Sequence, residues 1–480
     1  MNFDIKNIIG GSFWVTLFSL LSIPLTFFLN WLLGYFDSTG TMLGNYAILI
    51  VFINTVTTFV LFGGSSVLTN FLPKIDNNSD KGKFVFTYSI IVFIFLIIFC
   101  LLLIIFPFLS QQLLGEEIIS NNFLALFFIT PLIAISEIVI YSLQGIMLYK
   151  KASFLPQLRI IIIIVFILIF LLNNKRYTIE NSLLLFCCFY VLTYLAVILI
   201  AKNDVPIKVG LYWNSKITSF SVYSFFNTLN TYIFTNVDKI FILYYVSLKD
   251  VGVYYLLVQL ASLIRFITIK LGQILLSSFS KLIHDNDKPN VEKLYLKTTD
   301  LMILMSSFIS FFLMLFSLYL PVIYGELFEG MIPIFILLIF CTNLRNIGSI
   351  NSMYILANEK NRVFFISNTL SIAIQLIVTL LLIESYGLFG VVVARICSNI
   401  FSQTGLFWIV KNIGNIKIPR LYFWSQGFLI ALAILTYLTH VNYIPLYLYI
   451  LILFIAYWMF FKISGFSMTY FLRVIKNIKS

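Results

Sequence analysis

The stretch of sequence that decides the fold is SIIVFIFLIIFCLLLIIFPFL, residues 89–109. It contains no charged residue, and about 20 apolar residues suffice for a helix to cross the hydrocarbon core of a bilayer. Similar apolar runs recur along the 480-residue chain, which is 61% hydrophobic and only 10% charged. A soluble domain carries about 25% charged residues. Because backbone groups in lipid must hydrogen-bond internally, the sequence predicts an all-α integral membrane protein.

Hydropathy predicts about fourteen transmembrane helices. They lie near residues 10–33, 42–71, 84–109, 120–148, 153–173, 180–201, 217–245, 251–280, 299–321, 330–357, 362–383, 387–410, 421–440 and 444–463. When alternate loops are sorted by side, the side with both termini receives 23 of the 31 basic residues, and the other side receives three. Short cytoplasmic loops carry the positive excess, so we predict cytoplasmic termini. The net charge of +12 therefore reflects topology and does not indicate nucleic-acid binding.

The chain contains an internal repeat. A shift of about 208 residues places Gly44 on Gly252 and Tyr46 on Tyr254 without a gap. Six helices, an even number, separate the copies, so a pseudo-two-fold axis along the membrane normal should relate them. The predicted organisation is an N-lobe of helices 1–6 at 1–205, a C-lobe of helices 7–12 at 206–410, and two extra helices with a basic tail at 411–480.

Polar residues on equivalent helices indicate a cavity between the lobes. The repeat places Asn30 of the first helix on Asp238 of the seventh, and serines and threonines precede both residues at helical spacing. We expect Asn30, Ser19, Asn227 and Asn230 to line this cavity. The alternative is that such hydroxyls only help helices to pack and hydrogen-bond in lipid.

Basic residues inside the helices of the second half are the strongest candidates for a binding site. At 1.5 Å per residue, Arg265 and Arg345 lie near the middle of the membrane. A cation at this depth is unfavourable by at least about 2.5 kcal/mol, so it should face a watery pathway or a partner. We predict that Arg265, Arg345, Lys270 and Arg395 bind an anionic substrate. The alternative is pairing with a buried acid or with carbonyls at helix ends.

Two buried acids are candidates for ion coupling or gating, Glu137 and Asp238. Asp238 precedes Lys239, but neighbouring helical residues project about 100° apart, so these two side chains should not neutralise each other. Glu137 and Arg159 lie at similar depth on consecutive helices, which makes a structural ion pair the alternative for Glu137. A buried carboxylate is also a natural site for a transported cation.

The arginines indicate the chemistry of the substrate. A guanidinium group binds phosphate oxygens with two parallel hydrogen bonds, so an amphipathic molecule with a phosphate head suits this site. A lipid-linked sugar diphosphate meets this description.

Several short motifs resemble those of the polysaccharide repeat-unit flippases, of which the O-antigen flippase is the best-known type. The motifs are Asp238-Lys239 followed by Val251-Gly252-Val253-Tyr254, Gly44-Asn45-Tyr46, Leu143-Gln144-Gly145 and YGLFGVVVARICS (386–398). These flippases belong to the multidrug, oligosaccharidyl-lipid and polysaccharide exporter superfamily. The resemblance implies translocation of undecaprenyl-diphosphate-linked oligosaccharide from the cytoplasmic to the periplasmic leaflet of the bacterial inner membrane. It further implies alternating access driven by a proton or sodium gradient, with membrane lipids and a polysaccharide polymerase as partners.

Other classes of protein fit the sequence less well. A glycosyltransferase would use the DxD spelling of residues 285–287, but no globular domain surrounds it. An ATP-driven pump would need a phosphate-binding GxxxxGK[ST] loop, which the sequence lacks. The five cysteines and two histidines show no metal-binding spacing, so no cofactor or metal is expected. A multidrug exporter and a lipid II flippase of the same superfamily remain as alternatives.

Overall fold

The computed structural model describes most of the chain. The described residues are 18, 21–34, 41–75, 77–105, 116–172, 182–265, 275, 279, 282–283, 287–358, 360–416, 419–441, 443–445, 448–450, 452 and 455. They form helices joined by short turns, and no strand occurs among them. The predicted all-α membrane fold is therefore confirmed.

The first half of the described chain contains eight α-helices. They are α1 (Leu21–Gly34), α2 (Thr41–Val60), α3 (Gly64–Phe71), α4 (Asn78–Ile105), α5 (Glu116–Gly145), α6 (Tyr149–Leu172), α7 (Ser182–Ala201) and α8 (Ser215–Tyr245). A 3-10 turn, Leu72–Lys74, follows α3. The side chain of Asn214 caps α8 by accepting a hydrogen bond from the Ile217 N–H at 2.9 Å.

The second half contains six further α-helices. They are α9 (Leu248–Ser262), α10 (Lys288–Ser317), α11 (Leu320–Tyr324), α12 (Ile332–Ala357), α13 (Asn361–Gly414) and α14 (Arg420–His440). Two 3-10 turns, Leu263–Arg265 and Glu326–Met331, extend α9 and precede α12. Clustering by proximity gives two compact units, Met1–Leu256 and Leu257–Ser480. The lobes predicted at 1–205, 206–410 and 411–480 rest on the repeat and not on proximity, so that division stays a prediction.

Nine helices in the described part of the chain are long and apolar enough to span a membrane. One of these, α13, is two helices joined at a kink, because Gly387 has φ 53° and ψ −131°. It contains the predicted eleventh and twelfth spans. The predicted first, eighth and fourteenth spans fall partly or largely outside the described residues, so the number fourteen stays a prediction.

The predicted second span, 42–71, is two helices instead of one. Residues 61–63 break it, and Gly63 has a left-handed φ of 78°. A side chain at Gly63 would lie 2.9 Å from the Ser221 carbonyl oxygen of α8. Glycine therefore allows both the turn and the close approach of α8 at this point.

Equivalent glycines of the two repeat copies meet at the beginnings of α2 and α9. A Cβ atom on Gly252 would lie 2.4 Å from the Gly44 nitrogen, and one on Gly44 would lie 2.3 Å from the Leu248 carbonyl oxygen. A two-fold axis brings equivalent positions into such mutual contact. The first turns of α2 and α9 therefore lie side by side, and the two-fold relation of the repeat copies stays a prediction.

Candidate functional site

Three of the four predicted substrate-binding cations lie close together in the unit formed by residues 257–480. Arg265 ends the 3-10 turn after α9, Arg345 lies midway along α12, and Arg395 lies in the second part of α13. The turn packs against α12, and α12 packs against α13. Arg345 is within electrostatic range of Arg265 and Arg395, and Arg265 is within range of Arg395. The fourth predicted cation, Lys270, lies outside the described residues.

All three arginines are partly buried, so their mutual repulsion is weakly screened. An anion bound among them would relieve that repulsion. The site is therefore suited by charge to a phosphate or diphosphate group.

Buried uncharged polar side chains lie on the same helices as Arg345 and Arg395. Asn343, two residues before Arg345, is fully buried and donates from Nδ2 to the Ser310 hydroxyl at 3.0 Å. Its Oδ1 accepts no hydrogen bond, and neither do the buried Oε1 atoms of Gln375 and Gln403 on α13. A buried acceptor requires a donor, which water or a polar ligand can supply. These amides therefore favour buried water or a polar ligand within the unit formed by residues 257–480.

A second charged site lies where α8 meets α9, in the unit formed by residues 1–256. Asp238 is 2% exposed, and its Oδ2 accepts a hydrogen bond from the Tyr254 hydroxyl at 2.6 Å. Lys239 is 6% exposed, and its ammonium donates to the Thr235 carbonyl at 2.7 Å. The same ammonium lies 5.9 Å from the centre of the Tyr255 ring. Two adjacent residues of α8 thus contact two adjacent tyrosines of α9.

Side-chain amides connect Lys239 to α2. Lys239 Nζ donates to Asn236 Oδ1 at 3.2 Å, and Asn54 Nδ2 on α2 donates to the same oxygen at 3.3 Å. One turn away, the hydroxyls of Thr55 and Tyr232 lie 2.6 Å apart. The charged end of α8 is therefore held by both α2 and α9.

The predicted ion pair between Glu137 and Arg159 is present. Arg159 Nη1 lies 2.8 Å from Glu137 Oε1, and both side chains are largely buried between α5 and α6. The guanidinium group also faces the Tyr194 ring at 5.2 Å, which is a cation–π geometry. Arg159 therefore lies within α6 and is buried, although it is one of the 23 basic residues that the sequence analysis assigns to the cytoplasmic side. The coupling or gating role of Glu137 stays a prediction.

The predicted cavity-lining residues occupy different environments. Asn30 on α1 is 3% exposed and its Oδ1 accepts no hydrogen bond. On α8, Asn227 is exposed and Asn230 is partly buried. Ser19 falls outside the described residues. Whether these residues line one cavity stays a prediction.

The hydroxyl groups on α8 support the alternative to a cavity, which is that they help helices to pack and to hydrogen-bond in lipid. Those of Thr228, Thr231 and Thr235 each donate to a carbonyl four residues earlier, at 2.8–3.0 Å. Ser224 instead donates to the Gly63 carbonyl at 3.2 Å, across to the break between α2 and α3. These side chains satisfy helix backbone and packing needs.

The sequence analysis quoted Tyr46 and Tyr254 in its motifs but did not indicate Tyr190 and Tyr194, which lie near the charged pairs of residues 1–256. Tyr190 and Tyr194 lie one turn apart on α7, and the hydroxyls of Tyr190 and Tyr46 lie 3.2 Å apart. The Tyr46 ring contacts the Tyr255 ring edge to face at 5.9 Å. The helical spacing of Tyr190 and Tyr194, on the helix after Arg159, was the available signal.

The last residue of the DxD motif, Asp287, has a structural role. Asp287 precedes α10, and its side chain accepts a hydrogen bond from the Asn290 N–H at 3.3 Å. This is the geometry of a helix N-cap. The metal-binding use that a glycosyltransferase would make of the motif gains no support from Asp287.

The long apolar helices define a multi-pass membrane protein, and its fold is shared with solved structures of membrane transporters. The solved structure of the lipid II flippase MurJ, in an inward closed conformation, matches with a TM-score of 0.67 at 18% identity, over 94% of this chain and 98% of that chain. An inward-facing multidrug resistance MATE family transporter of the MOP superfamily matches with a TM-score of 0.60 at 15% identity, over 83% of this chain and 95% of the other.

The particular family follows from the sequence itself. The family model of polysaccharide biosynthesis proteins matches residues 41–333, and the chain belongs to this family. No curated protein sequence gives a significant match. The predicted resemblance to a polysaccharide biosynthesis family is confirmed.

Proposed function

We propose that this protein is a flippase that moves undecaprenyl-diphosphate-linked oligosaccharide repeat units from the cytoplasmic to the periplasmic leaflet of the bacterial inner membrane. The observation that carries the proposal is the gathering of Arg265, Arg345 and Arg395 in one membrane unit. The family supports a role in polysaccharide biosynthesis, and the fold supports alternating access.

Three arginines supplied by three different elements suit a transported head group better than a rigid cage on one element. The diphosphate must be drawn from the leaflet, held during the conformational change and then released. A charge-assisted hydrogen bond contributes about 1.5–3 kcal/mol. Two or three such contacts at a hydrated site attract the head group without holding it permanently. The amides of Asn343, Gln375 and Gln403 in the same unit offer acceptors for water that re-enters on release.

Asp238 is the proposed site of ion coupling, with a proton or sodium as the coupling cation. Its carboxylate is buried and lies at the junction of α8 with α9, where a change in charge would alter the contacts of both helices. Lys270 completes the proposed cationic site, and Asn30, Ser19, Asn227 and Asn230 its wall. Both termini are placed in the cytoplasm.

The proposal is tested by substitution of the arginines. Arg345→Ala and Arg265→Ala should each block delivery of lipid-linked repeat units to the outer leaflet at normal protein level, since each lost contact weakens head-group binding about 10–150-fold. Lysine should restore part of the activity because it keeps the charge but lacks the paired donors. Glutamate should be no better than alanine. The measurement is surface polysaccharide together with accumulated lipid-linked intermediate.

The matched control is Arg362→Ala, because Arg362 lies exposed in the first turn of α13. It should leave export unchanged. Parental export by the combined alanine variant of Arg265, Arg345 and Arg395 would show that these arginines are structural and that the proposal is wrong.

A lipid II flippase is the second candidate, since the arginine cluster suits any lipid-linked diphosphate. The two functions are separated by complementation. The gene should restore surface polysaccharide in a strain that lacks its repeat-unit flippase and should fail to support a strain depleted of lipid II flippase. The reverse result would favour lipid II. A multidrug exporter would instead confer drug efflux that the arginine substitutions leave unchanged.

A further inference from the structure

The linker between α7 and α8, residues 205–214, has neither helical nor strand structure, and one side of it is fixed to α4. Lys208 Nζ donates to the Ser79 hydroxyl at 2.8 Å, and the Lys208 nitrogen lies 2.9 Å from where a Cβ atom on Gly82 would be. Further along, the Thr87 hydroxyl donates to the Gly210 carbonyl at 3.3 Å and accepts from the Tyr212 N–H at 3.0 Å. Alternate residues of the linker therefore hold it to the first turns of α4.

The opposite side of the linker is apolar and open. Ile207 is 66% exposed, and Val209 and Leu211 are each 79% exposed. They alternate with Lys208, Gly210 and Tyr212, which contact α4, so the three exposed residues form one apolar row. A contiguous exposed apolar surface marks a site of interaction with another molecule or with a membrane.

The depth of this row follows from α4. Exposed apolar side chains of that helix begin at Ile90 and continue to Ile105, which places the lipid-facing part of α4 at these residues. At 1.5 Å per residue, Thr87 lies about 5 Å and Gly82 about 12 Å before Ile90. The head-group region is about 5–8 Å thick on each side of the hydrocarbon core. The stretch from Gly210 to Tyr212, held at Thr87, therefore lies at the level of the lipid head groups, and Lys208, held at Gly82, lies at their outer edge.

Charge and aromatic content agree with that level. Residues 202–216 contain three lysines and one aspartate, and the aspartate, Asp204, is paired with Lys151 at 2.7 Å. Lys202 and Lys208 are both exposed. Trp213 stacks on Phe84 with ring centres 5.9 Å apart, and tryptophan is enriched at membrane interfaces.

We propose that the 205–214 linker is an interfacial strap whose apolar row, Ile207, Val209 and Leu211, inserts into the surface of an anionic phospholipid bilayer. Lys202 and Lys208 lie beside the row, where they can contact lipid phosphates. Apolar faces of interfacial segments are buried about 5–10 Å into the boundary between head groups and acyl chains. The strap anchors the connection between the two repeat copies to the membrane. The inference goes beyond the proposed transport activity, because it requires only that α4 spans the bilayer.

The test measures the depth of single labelled positions. The five native cysteines are replaced, Val209→Cys or Leu211→Cys is labelled with an environment-sensitive fluorophore, and the full chain is reconstituted in vesicles of phosphatidylethanolamine and phosphatidylglycerol. Asn203→Cys is the matched control, since Asn203 is exposed in the same connection but outside the apolar row. Each variant must elute as a monodisperse peak before reconstitution.

Lipids with brominated acyl chains should strongly quench the fluorescence of the label at 209 and at 211. Aqueous iodide should quench the label at these two positions several-fold less than it quenches the label at 203. Equal iodide quenching at 203 and 209 would mean that the row lies in water and would overturn the proposal. Protection of 209 and 211 from both quenchers would mean that protein covers the row, and would overturn it as well.

Discussion

The two adjacent charges at the end of α8 show how single residues of opposite sign coexist in a membrane helix. Asp238 and Lys239 point in different directions, as their helical spacing requires. Each has its own partner, because the Tyr254 hydroxyl binds the carboxylate and the Tyr255 ring faces the ammonium. The burial of both charges is thus compensated locally, by the next helix along the chain.

If Asp238 couples export to an ion gradient, Asp238→Asn should remove the gradient dependence while leaving the protein folded. The asparagine Oδ1 can still accept the Tyr254 hydrogen bond, but the neutral amide can neither take up a proton nor attract sodium. The measurement is flipping of lipid-linked oligosaccharide in vesicles with and without an imposed proton or sodium gradient.

Asp204→Asn provides the control, because it also removes one carboxylate from the unit formed by residues 1–256, at an exposed pair with Lys151. It should keep the gradient dependence. Gradient-dependent export that persists in Asp238→Asn would leave Asp238 with a structural role only.

The pairing of two residues was predictable only where they carried opposite charges and lay at a similar depth in the membrane. Glu137 and Arg159 lie on consecutive helices at similar depth, and the structure shows their ion pair at 2.8 Å. The contact of Asp238 with Tyr254 joins the consecutive helices α8 and α9. The contact of Tyr46 with Tyr190 joins two residues that are 144 positions apart in sequence. Hydropathy and helical spacing carry no information about which faces of distant helices meet, so these contacts required the structure.

Helices were predicted more accurately than their breaks. Predicted spans 217–245 and 421–440 differ from α8 and α14 by two residues or fewer at each end. The predicted span 42–71 missed the break at residues 61–63, and residue 299 was too late for the start of α10, which begins at Lys288. Hydropathy cannot detect a left-handed glycine inside an apolar run, and it underrates the polar first turns of a helix that extends beyond the bilayer.

Close packing of α2 on α9 gives a prediction at the level of these elements. Gly252→Ala should destabilise the protein by about 1–3 kcal/mol, the usual effect of overpacking, because the new methyl group meets the Gly44 backbone. Gly44→Ala should do the same against Leu248. Combining the two should give a non-additive loss, since the sites share one contact. The measurement is thermal unfolding of the purified protein in detergent.

Gly427→Ala is the matched control. Gly427 lies inside α14, and a Cβ atom there would meet nothing within 4 Å. Alanine favours a helix over glycine by about 1 kcal/mol, so this variant should be neutral or slightly stabilised. If Gly252→Ala were equally harmless, the helices would be shown to separate at this point at little cost.

At the scale of the whole molecule, composition predicts the fold class. The repeat predicts that a pseudo-two-fold axis along the membrane normal relates its two copies. The contact of Gly44 with Gly252 agrees with that relation, because the equivalent helices α2 and α9 meet at their first turns. The arginine cluster was predictable only as a set of buried cations. That Arg265, Arg345 and Arg395 approach one another depends on the packing of α12 with α13 and with the turn after α9.

The orientation of the whole molecule gives the last prediction. Cytoplasmic loops of membrane proteins carry the basic excess, so the acidic segments at Glu116-Glu117 and Glu326–Glu329 should face the periplasm. With the native cysteines replaced, Glu117→Cys and Glu329→Cys should react with an impermeant thiol reagent in intact cells. Lys202→Cys and Lys360→Cys, on predicted cytoplasmic loops, should react only after the cells are opened. Labelling of the second pair and protection of the first in intact cells would reverse the orientation, and the basic loops would then lie in the periplasm against the rule that predicted them.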